Sequence, residues 1–176
     1  MYRMLITGAG GQGILFMGKQ LALAAMSADL NVTTLPSYGA EMRGGTSSCN
    51  VIIDNDFIGS PAAVTPNILV AMNKPSFERF ISRTAANGKV FANSSLVSGV
   101  EVRSDVTAFF IPATELAQAN GLSHLDNVIM LGKLIKETGM FEYGYFEKCL
   151  TDFSKSRPGM AEKNAAALKI GFGYEG

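Results

Sequence analysis

Six residues constrain this chain more than any others: Gly8-Ala9-Gly10-Gly11-Gln12-Gly13. The apolar run Met4-Leu5-Ile6-Thr7 precedes them and a longer apolar run opens at Ile14. That order reads as strand, glycine turn and helix. The spacing Gly8-x-Gly10-x-x-Gly13 fits the fingerprint of a dinucleotide-binding turn. In such a turn the first glycine permits the tight bend, the second lets a ligand approach the backbone, and the third brings helix and strand together. The new helix directs unpaired N–H groups and a partial positive charge at whatever lies in the turn. Glycine-rich strand-to-helix turns also occur with no ligand, so by itself the motif is weak evidence for one.

The helix after the turn is expected over residues 13–28, with Ile14, Gly18, Leu21, Ala22 and Ala25 on one face. Gly18 is costly inside a helix and suggests close contact with the sheet or a neighbour. Residues 13–19 satisfy most of the pattern G-x-x-x-x-G-K-[ST], but position 20 is Gln, not a hydroxyl residue, and the middle residues are bulky and apolar. That segment is a buried helix, not a phosphate cradle of the nucleotide-triphosphate type. Lys19 is read as solvated or facing a partner.

A second strand is expected over residues 31–35. A nicotinamide or flavin dinucleotide site usually sets Asp or Glu near the end of this strand, where this chain has Leu35-Pro36-Ser37-Tyr38. NAD is therefore disfavoured. NADP stays open through Arg43, which suits a 2′-phosphate. The next block, Tyr38-Gly39-Ala40-Glu41-Met42-Arg43-Gly44-Gly45-Thr46, gathers three glycines, a tyrosine, an acid and an arginine. Two readings stand side by side. It is a ligand or subunit-docking loop with Arg43 on a phosphate or carboxylate, or a surface crossover with a local Glu41–Arg43 ion pair of little energetic value.

Residues 47–53 alternate, Asp54-Asn55-Asp56 breaks the run, and Phe57-Ile58 resumes it before Gly59-Ser60-Pro61. This predicts a hairpin there, and with it a mixed sheet. Cys49 is read as a small buried residue. Strands are expected at residues 68–72, 89–92 and 107–111, alternating with helices that bear Phe77, Phe80 and Ile81, then Leu116 and Ala117. The C-terminal third reads as helices over residues 126–138, 145–153 and 160–172. His124, the only histidine, has no evident acid or nucleophile partner and is read as structural or surface. The fold class is therefore α/β: a three-layer Rossmann-like domain with a mixed, mostly parallel sheet and a helical C-terminal third.

Composition bounds the function. The 176 residues are expected to form one domain, 1–176. Zero net charge argues against a nucleic-acid binder. Cys49 and Cys149 stand far apart without C-x-x-C spacing, which suggests no zinc site, iron–sulfur site or disulfide framework. The first strand begins near Arg3, leaving no room for a signal peptide. The longest apolar stretch, residues 14–26, is interrupted by Lys19 and Gln20 and is too short for a membrane span. The expected compartment is the reducing cytoplasm.

Four blocks in order, Gly8 to Ile14, Ser37 to Gly45, Cys49 to Ile52 and Ile58 to Pro61, resemble the gamma subunit of 2-oxoacid:ferredoxin oxidoreductases. Residues 127–132 and 164–172 resemble later family blocks more loosely. The second block is more similar to the 2-oxoglutarate and branched-chain 2-oxoacid members than to the pyruvate or indolepyruvate ones. The resemblance implies an enzyme that decarboxylates a 2-oxoacid on thiamine diphosphate with magnesium, passes electrons through iron–sulfur clusters to ferredoxin and releases an acyl-CoA. It implies that thiamine and clusters lie in partner alpha and beta chains or a ferredoxin-like delta chain, and that this chain serves assembly and the CoA side of the site. The residues it marks for a ligand are Gly8, Gly10, Gly11, Gln12, Gly13, Tyr38, Arg43, Gly44 and Gly45, with no catalytic residue and no metal ligand. Two alternatives remain: an NADP-dependent oxidoreductase, and an assembly module without a ligand.

Overall fold

The computed structural model describes residues 1–38, 46–154 and 159–176, with only the backbone of Tyr38 among them. Six strands form one sheet in the order β2-β3-β1-β4-β5-β6. These are β1 (Tyr2–Ala9), β2 (Asn31–Tyr38), β3 (Thr46–Asp54), β4 (Ile68–Ala71), β5 (Lys89–Asn93) and β6 (Thr107–Ile111). β1, β4, β5 and β6 are mutually parallel, and β3 runs antiparallel between β1 and β2. The sheet is mixed, as expected, but its antiparallel part is not the predicted hairpin. Both edges of β3 are already taken by β1 and β2, so no ladder remains for Phe57 and Ile58. The chain leaves the sheet after Asp54, and Phe57 is 88% exposed. β2 runs three residues further than expected, through Pro36. Its place at the edge of the sheet tolerates a residue with no N–H.

Strand alternation sorts the core. Met4, Ile6, Cys49, Val51, Val70 and Phe91 point to one face, where helix α1 (Ile14–Ser27) lies with the C-terminal helices. Those are α3 (Ala113–Ala119), α4 (Asp126–Thr138), α5 (Tyr143–Asp152) and α6 (Met160–Gly173). Leu5, Leu69, Ala71, Val90 and Ala92 point to the other face, against Phe77 and Phe80 of α2 (Lys74–Phe80). Among the described residues the three layers are thus unequal, with five α-helices on one side and one short α-helix on the other. On the thick side Gly18 does what its position suggested. A Cβ there would stand 2.6 Å from Cys49 Sγ, so only glycine lets α1 lie this close to β3. Met17 and Ala24 join the buried face of α1, while Ala22 is only partly covered.

Candidate functional site

The glycine turn sits at the C-terminal end of β1, beside the C-terminal end of its parallel neighbour β4. Ligands in open α/β sheets bind at this end of the strands. Each turn residue has its own circumstance. A Cβ on Gly8 would meet Gln12 Oε1 and Ile14 Cδ1 at 2.7 Å, so Gly8 is needed for packing. Gly10 is exposed, and a Cβ there would meet nothing within 4 Å. Gly11 has φ 91° and Gly13 has φ 72°, the left-handed region that glycine enters without strain. A Cβ on Gly13 would lie 2.0 Å from Asn127 Nδ2.

Gln12 braces the turn. Its Oε1 accepts from Ala9 N at 2.6 Å and from Asn73 Nδ2 at 3.1 Å, and its Nε2 donates to Met72 O at 3.2 Å. Asn73 in turn caps α2, its Oδ1 accepting from Ser76 N at 3.0 Å. One side chain therefore ties the loop after β1 to the loop after β4. α1 has no side-chain cap and no acid in its first turn. Its first intrahelical bond is Met17 N to Gly13 O at 3.0 Å, so the N–H groups of Ile14, Leu15 and Phe16 have no intrahelical partner. An anion in the turn would meet those donors and the positive end of the α1 dipole.

Asn127, the second residue of α4, completes this corner, and sequence reasoning gave it no role. Its side chain is 7% exposed and lies against Gly13, so the N-termini of α1 and α4 meet over the turn. Its Oδ1 accepts from Val128 N at 2.9 Å, while Nδ2 has no acceptor among the described residues. The available signal was its place in a block that resembles the family. Of the other residues marked for a ligand, Arg43, Gly44, Gly45 and the Tyr38 side chain lie outside the described residues, as does Glu41.

The argument against NAD acquires a second basis. β2 does not lie beside β1 but beyond β3, so its end is not next to the turn. The slot where a dinucleotide fold sets its ribose-binding acid does not exist here in its usual form. Cys49 is buried under α1, and burial pushes its thiol up to about 11, as suits an inert core residue. His124 is exposed, with φ 70° in the turn before α4. Among the described residues no three His, Cys, Asp or Glu side chains gather in a way that would hold a metal ion. No helix among them is long and apolar enough to cross a membrane.

A parallel-strand end, a glycine turn and a helix without a side-chain cap at its N-terminus define a Rossmann-like α/β protein. The family described as pyruvate ferredoxin/flavodoxin oxidoreductase matches residues 3–174, and the chain belongs to it. This is the family whose gamma subunits the glycine turn and the following blocks resembled. The chain is 38% identical over 173 residues to the ketoisovalerate oxidoreductase subunit VorA of Methanothermobacter thermautotrophicus, covering 96% of this chain and 35% of that protein. It thus spans about a third of the length of that relative. It is 32% identical to the 2-oxoglutarate synthase subunit KorC of Methanocaldococcus jannaschii, covering 95% of this chain and 90% of that one. Among solved structures, the gamma subunit of a keto/oxoacid ferredoxin oxidoreductase from Geobacter sulfurreducens shares the fold with a TM-score of 0.83 at 24% identity, over 98% of this chain and 96% of that one. The 2-oxoglutarate:ferredoxin oxidoreductase of Magnetococcus marinus, solved with 2-oxoglutarate, coenzyme A and succinyl-CoA bound, shares it with a TM-score of 0.88 at 21% identity, over 97% of this chain and 30% of that one.

Proposed function

We propose that this chain is the gamma-type module of a thiamine-dependent 2-oxoacid:ferredoxin oxidoreductase and that its glycine turn forms part of the CoA side of the site. In this reading the complex converts a 2-oxoacid, CoA and oxidised ferredoxin to an acyl-CoA, carbon dioxide and reduced ferredoxin in the cytoplasm. Thiamine diphosphate, magnesium and the iron–sulfur clusters belong to alpha and beta chains or to a ferredoxin-like delta chain. The likeness to ketoisovalerate and 2-oxoglutarate enzymes favours a branched-chain 2-oxoacid or 2-oxoglutarate as substrate.

One observation carries the assignment: the uncapped N-terminus of α1, exposed at Gly10 and overlaid by the Asn127 amide, whose Nδ2 has no acceptor among the described residues. Those donors suit the diphosphate of CoA. Gly8, Gly10, Gly11 and Gly13 shape the cradle, Gln12 holds it, and Tyr38, Arg43, Gly44 and Gly45 are assigned to the same ligand from their sequence block. The test is Gly10→Val in the assembled oxidoreductase. The added Cβ meets no described atom within 4 Å while the side chain fills the approach to the backbone, so the apparent KM for CoA rises roughly tenfold or more while that for the 2-oxoacid holds. An unchanged KM for CoA sinks the assignment.

A further inference from the structure

The thin side of the sheet leaves a second feature that the glycine turn does not use. On the α2 face of β2 and β3 no helix among the described residues covers the strands, and the described residues line a groove of about 430 Å³ there. Its floor is polar: Ser37 and Ser48 are cross-strand partners, and Thr46 pairs with Ala9, the last residue of β1. Asn50 joins them, its Oδ1 accepting from Ala63 N at 3.2 Å while its Nδ2 has no acceptor among the described residues. One wall is Arg79 and Arg83, spaced i and i+4, with guanidinium carbons 5.3 Å and 5.5 Å from the centroid of the Phe80 ring. Their only side-chain hydrogen bonds among the described residues go to Thr46 Oγ1 at 3.3 Å and Val64 O at 3.4 Å, and neither has a carboxylate partner there. The nearby acid Glu78 pairs instead with Lys74.

Arg79 lies in α2 and Arg83 in the 3-10 turn that follows it (Ile81–Arg83), so two like charges flank one ring and repel each other unless an anion answers both. We propose that Arg79 and Arg83 form a phosphate-binding site on this open sheet face, distinct from the glycine turn, that takes the phosphomonoester of a nucleotide. A phosphomonoester carries close to two negative charges and three acceptor oxygens. Its charge matches the two guanidiniums and its oxygens also accept from the hydroxyls of the floor, whereas a single carboxylate brings one charge and two oxygens. The groove is larger than bare phosphate needs, and Leu35, 40% exposed on the floor, gives an organic group an apolar surface.

The test titrates adenosine 5′-monophosphate, inorganic phosphate, succinate and adenosine into the 176-residue chain by calorimetry. The nucleotide binds tightest, inorganic phosphate binds more weakly, and adenosine and succinate give no measurable heat. Arg79→Gln and Arg83→Gln each weaken the nucleotide roughly tenfold, Arg→Lys at either position costs less, and Lys19→Gln on the opposite face changes nothing. Both arginines are exposed, so thermal midpoints hold and the losses report binding. Adenosine or succinate binding as well as the nucleotide overturns the site, and so does wild-type affinity in both arginine variants. Nucleotide binding lost in Gly10→Val but intact in the arginine variants also overturns it and leaves the glycine-turn reading standing.

Discussion

At the residue scale the four glycines of the turn are not interchangeable, and their differences make a test. Gly13 combines φ 72° with the side chain of Asn127 where its Cβ would go. Gly10 has neither restriction. Gly13→Ala is therefore expected to cost more than about 2 kcal/mol, since a left-handed conformation costs an L-residue roughly 1–2 kcal/mol before any clash. For a domain this size that lowers the thermal midpoint by about 4–8 °C. Gly10→Ala stays within about 0.5 kcal/mol, as an exposed substitution without contacts should. Calorimetry on the two variants decides the matter, and equal midpoints would contradict these assignments. Sequence spacing alone marked both positions as glycine. The left-handed conformation of Gly13 and the packing of α4 on the turn separate them, and Asn127 reaches Gly13 from more than a hundred residues away along the chain.

At the element scale the helix pair α4 and α6 has the tightest backbone contact in the thick layer. A Cβ on Gly171 would stand 1.8 Å from Ile129 O, and one on Gly132 would stand 2.2 Å from Leu168 O. The obstacles are backbone atoms inside two helices, which cannot rotate aside. Gly171→Ala must therefore separate the helices and open the core around Leu168 and Ile129, both fully buried. The expected loss is about 3 kcal/mol or more, read from urea unfolding midpoints. A loss below about 1 kcal/mol would mean that the helices are not this close in solution. Ile129, Gly132, Leu168 and Gly171 fall within the blocks at residues 127–132 and 164–172 that loosely resemble the family. The bounds of α4, residues 126–138, were fully legible, because apolar residues at helical spacing stop at Gly139, which takes φ 62°. Lys133 was not legible. It lies 3% exposed on that helix, its Nζ donating to Tyr174 O at 2.9 Å and paired with Glu137 at 2.9 Å, and no periodicity rule foresees a charged residue with partners so placed. The predicted hairpin at residues 54–58 failed for a related reason. Local alternation says which segments can be strands, while edge occupancy says which of them can pair.

At the scale of the whole molecule the proposed function divides the work between this chain and partner chains. The turn, the brace at Gln12 and the side chain of Asn127 meet at one corner, and no acid–base pair or nucleophile stands there among the described residues. The chain alone is therefore expected to decarboxylate no 2-oxoacid, even with thiamine diphosphate, magnesium and CoA supplied. Adding alpha and beta chains is expected to restore CoA-dependent reduction of a viologen dye. Within that complex Arg43, assigned from its sequence block, separates the two readings of residues 38–46. If it meets a phosphate of CoA, Arg43→Ala removes one charge-assisted bond of about 1.5–3 kcal/mol and raises the apparent KM for CoA by roughly ten- to a hundredfold. Decarboxylation measured without CoA then changes little, because an interaction with one substrate leaves the chemistry of the other intact. If CoA kinetics hold while the complex falls apart on gel filtration, the segment is a docking element and Arg43 is not a ligand residue. Activity from the isolated chain would overturn the division of labour itself.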